Sequence, residues 1–358
     1  ILRLYLKPNL EIVEPGRHDL IGTRHGDSTA MVRNDSAQWV AHAWPKATDR
    51  PGAGAPAGIK IATGDLVGYE SGDVNGDGND DLIWLRQTGN KTGRIKVALS
   101  TGAGYGSAQT WWEGNTIVPL GSAKLLVGDF HADHRVDVAL LGKGDSDTKT
   151  RLVVFRRKPY GEGKKFAEPQ QHWHGGNDHS KTAGAWAGDI SGDGRADLII
   201  RQNPSSGGVR LKTAVTKSPL LLDTDQRTYG LKVKWEDKSL NPAKVRMING
   251  DLNRDGREDI ALLFGGTGRA KIDRLAGQPR GGFKRSRLWS APKSDPVPVK
   301  STRLGIADVD YDGRTDLILY SDRSKGTRIR VLKTRYTTVR DIQKWVERSL
   351  PWKDLRPF

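Results

Sequence analysis

The feature that most constrains this chain is a short acidic loop that recurs along it. In its clearest copy, Gly72–Leu85 reads GDVNGDGNDDLIWL, with Asp73, Asn75, Asp77 and Asp81 at positions 1, 3, 5 and 9. Gly78 stands at position 6, where a sharp turn calls for a residue that tolerates positive φ. Alternate residues of a curled loop point their side-chain oxygens inward, and the carbonyl of Asn79 completes the set. Such a set suits a hard cation like Ca²⁺, which takes roughly six to eight oxygens. An EF-hand loop opens the same way but ends with a Glu and enters a helix. Here Trp84 stands where that Glu would be, and the loop runs straight into Leu82-Ile83-Trp84-Leu85. That is a short apolar run of strand type.

The pattern returns as GDFHADHRVDVALL from Gly128, GDISGDGRADLII from Gly188, GDLNRDGREDIALL from Gly250 and ADVDYDGRTDLILY from Ala307. The first aspartates recur every ~60 residues, a little above the spacing of familiar propeller repeats. The expected calcium ligands of the later loops follow by position. They are Asp189, Ser191, Asp193, Asp197 and the carbonyl of Arg195; Asp251, Asn253, Asp255, Asp259 and the carbonyl of Arg257; and Asp308, Asp310, Asp312, Asp316 and the carbonyl of Arg314. The loop at Asp129 keeps Asp133 and Asp137 but has His131 and His134 at positions 3 and 6. Four calcium sites are therefore expected, with a degenerate fifth at Asp129. One period upstream, Glu11–Ile21 keeps the glycine, the last aspartate (Asp19) and the apolar pair but lacks the inner oxygens. It reads as a sixth repeat whose metal site has decayed.

Each repeat carries a second mark. After the loop and its strand come an alternating segment, a turn and a tryptophan: Trp44 (or Trp39), Trp112, Trp173, Trp235, Trp289 and Trp345. A unit of about four short strands with turns between them is a propeller blade. A blade cannot bury both faces alone, so its neighbours must stack on it. The expected fold is an all-β propeller over residues 1–336, with blades near 1–44, 59–114, 115–175, 176–239, 240–291 and 292–336. The segment 45–58, PKATDRPGAGAPAG, is a Pro/Gly/Ala-rich connection. In the tail, 337–358, Val339, Ile342, Val346 and Leu350 recur at helical spacing before Pro351. It reads as a final strand or, slightly favoured, a short helix.

These loops closely resemble the FG-GAP/VCBS repeat, the blade of the integrin α-subunit head and of many secreted bacterial proteins. The resemblance covers nearly the whole chain and implies a calcium-binding β-propeller. Family members usually have seven blades, so a seventh would lie upstream of Ile1 or be too diverged to read. Some propellers of this kind are lectins, which implies sugar binding but places no sugar-contacting residue here.

Composition narrows the function classes. There is no Cys among the 358 residues, which excludes disulfides, thiolate metal sites and cysteine nucleophiles. Open calcium loops fill where Ca²⁺ is plentiful, so an extracellular, secreted protein is expected, and a bacterial source fits the missing disulfides. The chain does not begin with Met and lacks a signal-peptide layout, which reads as a mature or excised segment, part of a larger chain or assembly. The net charge is +16, and 18 of the 42 acidic residues lie inside the five loops. Filled loops would leave a strongly basic surface. That surface reads either as a plain soluble one or as attracted to cell-wall polymer, acidic glycan, membrane or nucleic acid. Nucleic acid ranks last because no recognised module is visible.

Catalytic motifs are scarce. Gly26-Asp27-Ser28 resembles the opening of GDSL esterases, but no His has Asp three residues before it and no G-x-S-x-G occurs. His172, His174 and His179 are a candidate zinc set, with surface histidines the plainer reading. The repeated tryptophans read as packing between blades or as sugar-stacking platforms. Trp84, Trp111, Trp186 and Trp352, outside the repeated position, are the expected exposed aromatics. The leading function is recognition, lectin-like or adhesive, of a glycan or protein at a cell surface. The alternatives are a non-catalytic targeting domain of a larger secreted enzyme or toxin assembly and, more weakly, a polysaccharide hydrolase.

Overall fold

The computed structural model describes residues 17–22, 28–33, 38–44, 59–62, 65–77, 80–100, 105–144, 148–159, 165–217, 230–265, 269–307, 315–323, 326–335 and 339–348. Side chains are described from residue 65 onward, apart from those at 307, 320, 322–329 and 340–348. The first sheet comprises β1 (Arg17–Gly22), β2 (Ser28–Arg33), β3 (Gln38–Trp44) and β4 (Ile59–Ala62). The second comprises β5 (Leu66–Gly72), β6 (Asp81–Gln87), β7 (Thr92–Ala98) and β8 (Gln109–Asn115). The third comprises β9 (Lys124–Gly128), β10 (Asp137–Lys143), β11 (Thr150–Phe155) and β12 (Gln170–Gly175). The fourth comprises β13 (Thr182–Gly188), β14 (Asp197–Gln202), β15 (Val209–Ala214) and β16 (Lys232–Asp237). The fifth comprises β17 (Val245–Gly250), β18 (Asp259–Phe264), β19 (Lys271–Gly277) and β20 (Phe283–Ser290). The sixth comprises β21 (Thr302–Ala307), β22 (Asp316–Arg323), β23 (Gly326–Thr334) and β24 (Val339–Arg348).

All six sheets are four-stranded antiparallel meanders, and the five from β5 to β24 repeat one blade design. The acidic loop joins first to second strand, with its last aspartate heading the second. The sheet β1–β4 departs from that register, because Asp19 lies in its first strand. Ile59–Ala62 joins the same sheet through Gln38↔Ala62, so it does not open the next blade. The six repeats read from the sequence thus become five blades of one design and a sheet of shifted register. First strands of adjacent blades pack side by side, β5 on β9, β9 on β13, β13 on β17 and β17 on β21, with β1 beside β21. These strands line the axis.

The tail is strand, not helix. β24 pairs with β23 at Ile329↔Val346, Arg330↔Lys344 and Val331↔Ile342, skipping one residue at each step. Two bulged residues stretch a period of two into spacings of three and four, which imitate a helix. The same bulge recurs at the third–fourth strand pair of every blade of this design. It falls at Trp111, His172, Lys234 and Leu288, just before the paired residues Trp112, Trp173, Trp235 and Trp289. By this register Val346 holds the marker position of the last blade, and Trp345 is the bulged residue.

Cores form between blades. Ile83, Leu85 and Trp112 of the second sheet meet Leu125, Leu140 and Phe155 of the third. Leu152 and Trp173 of the third meet Leu198 and Ile200 of the fourth. Each such side chain contributes about 1.5–3 kcal/mol when buried from water. The repeated tryptophans therefore belong to the packing: Trp112, Trp173 and Trp289 are buried, and Trp235 is half-buried.

The repeated Gly before each first aspartate has a contact reason. A Cβ on Gly72, Gly128, Gly188 or Gly250 would lie 3.0, 2.6, 2.4 or 2.8 Å from Val136, Ala196, Glu258 or Thr315, each in the next blade's loop. At the same junctions Val136, Ala196, Glu258 and Thr315 donate their N–H to the carbonyls of Asp73, Asp129, Asp189 and Asp251, at 3.0, 2.6, 2.6 and 3.0 Å. The loops are stapled to one another around the axis. Ala196 offers no flexible side chain to give way, so Gly128→Ala should destabilise by about 1–3 kcal/mol. Ala196→Gly should recover part of that loss. Urea unfolding of both single variants and the double variant measures the coupling, and strict additivity would refute the contact.

Candidate functional site

The acidic loops are built on one repeated device, a buried aspartate at the head of the second strand. Asp81 accepts Ser100 N–H on Oδ1 at 2.8 Å and Val74 N–H on Oδ2 at 3.2 Å. Asp197 accepts Thr216 N–H at 2.8 Å on Oδ1, and Ile190 and Ser191 N–H at 3.2 and 3.1 Å on Oδ2. Asp137, Asp259 and Asp316 likewise take the N–H of Arg157, Gly277 and Thr334 at 2.6, 3.0 and 2.7 Å. One carboxylate thus ties its own loop to the far end of the third strand. Within the loop, the first aspartate collects turn amides: Asp189 accepts Gly192 and Asp193 N–H on Oδ1 at 2.6 and 3.1 Å, and Gly194 N–H on Oδ2 at 2.7 Å. Asp73 and Asp251 do the same. Positive φ at Gly76, Gly192, Gly194 and Gly256 permits these curls.

Burial pushes the carboxyls of Asp81, Asp197 and Asp259 up to about 7, against the pull of the amides that donate to them; Asp77 and Asp73, Asp193 and Asp189, and Asp255 and Asp251 raise them further. In the loop of Asp251, two oxygens have no hydrogen-bond partner although both are buried: Asn253 Oδ1 and Asp259 Oδ2. They belong to positions 3 and 9 of the expected calcium set. An oxygen set of this chemistry suits a hard cation, and Asp259 Oδ2 already has the Arg274 guanidinium 3.9 Å away. Among the described residues no group of three carboxylates or imidazoles is arranged to hold a metal ion, because the first aspartates are turned onto loop amides.

The third blade resolves the same problem differently. His131 Nδ1 lies 2.7 Å from Asp137 Oδ2, and both side chains are buried. An imidazole thus stands against the carboxylate at the position where the other loops offer an oxygen. Burial raises the Asp137 carboxyl, and the His131 hydrogen bond opposes the rise. Ala132 and His134 adopt φ of 55° and 60° where, by sequence, two and four of the sister loops have glycine. This loop supplies its own partner from within.

The aromatic candidates fare differently. Trp84 and Trp111 are only 3% and 4% exposed, which corrects the expectation that they face solvent. Trp84 packs with Leu82 and Ala98. Trp111, the bulged residue, sits against Phe166 and under the Arg157 guanidinium, 4.8 Å from its ring. Trp186 is half-buried on β13 against the core between the fourth and fifth sheets. Trp352, Asn79, Asp308, Asp310, Asp312 and Arg314 lie outside the described residues. His172 is buried against Phe130 and His131, and His179 reaches the Ser122 carbonyl at 2.9 Å. The zinc reading finds no support among the described residues.

No family model matches the chain, and no curated protein matches it. Solved structures do. A lectin from Agrocybe aegerita, described for its recognition of non-reducing terminal N-acetylglucosamine, aligns over 93% of this chain and 81% of its own, with TM-score 0.51 and 15% identity. The lectin of Aleuria aurantia, described as a six-bladed β-propeller with a novel fucose recognition mode, aligns over 94% and 97%, with TM-score 0.48 and 11% identity. A rhamnogalacturonan lyase aligns over 94% and 70%, with TM-score 0.34 and 14% identity. At these identities the likeness concerns the fold. The chain is an all-β propeller with antiparallel four-stranded blades.

The raised carboxyls fix the sign of a pH effect. An aspartate whose folded-state pKa exceeds its unfolded value contributes stability below about pH 4, lost as pH rises through about 7. In EGTA the melting temperature should therefore fall by several degrees between pH 5 and pH 8. Asp259→Asn, permanently neutral, should flatten that decline. An unchanged slope would show that the carboxyl is ionised throughout.

Proposed function

We propose that the protein is a calcium-stabilised, lectin-like recognition module of the FG-GAP/VCBS kind that works outside the cell and binds a glycan. The observation that carries this reading is the division of labour within the fold. The repeated carboxylates are consumed in bracing loops, and the repeated tryptophans in packing blades. What the ring then offers a partner is its surface, as in the propeller fold it shares with a sugar-binding lectin. The basic surface also supports a second reading, a targeting domain that holds a larger secreted enzyme or toxin assembly on an anionic wall polymer.

Calcium would be held in the loop of Asp251 by Asp251, Asn253, Asp255, Asp259 and the Arg257 carbonyl, and by the equivalent sets around Asp73, Asp189 and Asp308. When bound it would supply positive charge beside carboxyls that burial pushes up to about 7 at Asp81, Asp197 and Asp259. Binding therefore stabilises the folded state by mass action. The His131–Asp137 pair makes the Asp129 loop independent of metal.

Calorimetric titration of Ca²⁺ into chelator-stripped protein should show four ions, with protons released near pH 7. EGTA should lower the melting temperature, Asp259→Asn should remove one ion, and Asp137→Asn should remove none. A glycan array on the calcium-loaded protein tests recognition itself. Signal on one sugar class supports a lectin, and a silent array with unaltered melting in EGTA would sink the reading.

A further inference from the structure

The two ends of the ring differ in their connections. Strand alternation puts the acidic loops at one end. At the other lie the hairpins between second and third strands and the connections from each fourth strand to the next blade. Those connections carry short 3-10 turns at Leu120–Ser122, His179–Lys181, Pro242–Lys244 and Val299–Ser301. The turns are stitched into a rim. His179 reaches the Ser122 carbonyl, Arg201 Nη2 donates to Pro242 O at 3.0 Å, and Arg246 Nη2 donates to Lys300 O at 2.9 Å.

Within this rim, Arg201 and Arg246 donate to the same carbonyl, Val245 O, at 3.5 and 2.9 Å. Two guanidiniums are thus held together in half-buried positions. Their other described hydrogen bonds go to neutral oxygens, on Asn203 and Ala243 besides Pro242 and Lys300. Neither has a carboxylate partner among the described residues. Burial lowers the pKa of both, and Arg246 lowers that of Arg201 further. A like-charge pair of this kind is unfavourable unless an anion bridges it. The carboxylates on the described connections at this end are already paired, Asp65 with Arg86, Asp178 with Lys212 and Asp295 with Arg330.

More positive charge surrounds the pair. Counted back from the residue before each first aspartate, Lys124, Arg246 and Arg303 hold equivalent places on β9, β17 and β21. Lys181, Lys244 and Lys300 stand on the turns themselves. The described residues of the hairpins and connections at this end, 88–91, 116–123, 144, 148–149, 176–181, 203–208, 238–244, 265, 269–270 and 291–301, contain no Phe, Tyr or Trp. These described residues therefore supply no Phe, Tyr or Trp on which single-stranded bases would stack.

We propose that this rim, centred on Arg201 and Arg246, binds a polyanionic glycan, a chain bearing carboxylate or sulfate groups. The anion site stands on the arginine pair; the sugar nature of the polymer rests on the glycan-binding reading above. Planar bidentate guanidiniums match carboxylate and sulfate geometry, and the surrounding lysines follow a chain across several blades.

The test is titration of calcium-loaded protein with polygalacturonate, heparin, neutral dextran, polyphosphate and duplex DNA at 50 and 200 mM salt. Polygalacturonate or heparin should bind, weakening at least tenfold across that range, and dextran should not. Lys244→Glu/Lys300→Glu, which alters side chains of residues that bond within the rim through the Lys244 N–H and the Lys300 carbonyl, should weaken binding about tenfold or more. Lys232→Glu/Lys284→Glu, the same charge change on outer strands, should leave affinity within twofold. Arg201→Gln/Arg246→Gln should abolish binding with the circular-dichroism spectrum retained. Equal losses in rim and outer-strand variants would overturn the site. Equal or tighter binding of polyphosphate or DNA would overturn its assignment to a glycan while leaving an anion site. Binding of neutral sugars without competition by the acidic polymers would overturn this proposal and leave the lectin reading standing.

Discussion

The buried aspartate at the head of each second strand is the interaction on which the blades depend. A carboxylate taken from water must be solvated by the protein or neutralised. In this fold it is solvated by backbone N–H groups from two places: the second residue of its own loop, where a described bond exists, and a residue at or within two positions of the third strand's end. Those places belong to different segments of one blade, so a single side chain sets both the curl of the loop and the exit of the third strand. Solvation by amides is incomplete, and the remaining demand is met by a proton, by an imidazole in the third blade, or by a cation under the calcium reading.

A second constraint converts separate blades into a ring. The carbonyl of each first aspartate accepts an N–H from the next loop, and the glycine before it leaves room for that loop's side chain. Loop curvature and blade spacing are therefore coupled. At that end the acidic loops are bonded to one another, whereas the opposite end is joined by short turns whose carbonyls hold two guanidiniums. Recognition is assigned to that second end on these grounds.

Much of this was legible in the chain before folding. The strand after each loop, the loop's place between strands and the blade-like grouping all follow from a pattern that repeats in register. The packing role of the marker tryptophans was one of two readings, and burial of Trp112, Trp173 and Trp289 selects it. Trp84 and Trp111 were misread as solvent-facing because exposure depends on which neighbour covers a strand face. The helical look of Val339, Ile342 and Val346 had a similar cause: a bulge is a property of a strand pair, and one strand's spacing does not reveal its partner's count.

The sequence by itself determined the local chemistry: acidic turns, glycines at positive φ, apolar second strands and an excess of positive charge. These depend on neighbours a few residues apart, so they are written in the order of residues. The tertiary structure alone decided which glycines are required by contact with the next blade and which tryptophans are covered. It also decided that Arg201 and Arg246 share one carbonyl. Such contacts join residues far apart in the chain. They arise only when the blades close side by side, because what surrounds a side chain is fixed by the ring and not by its own segment.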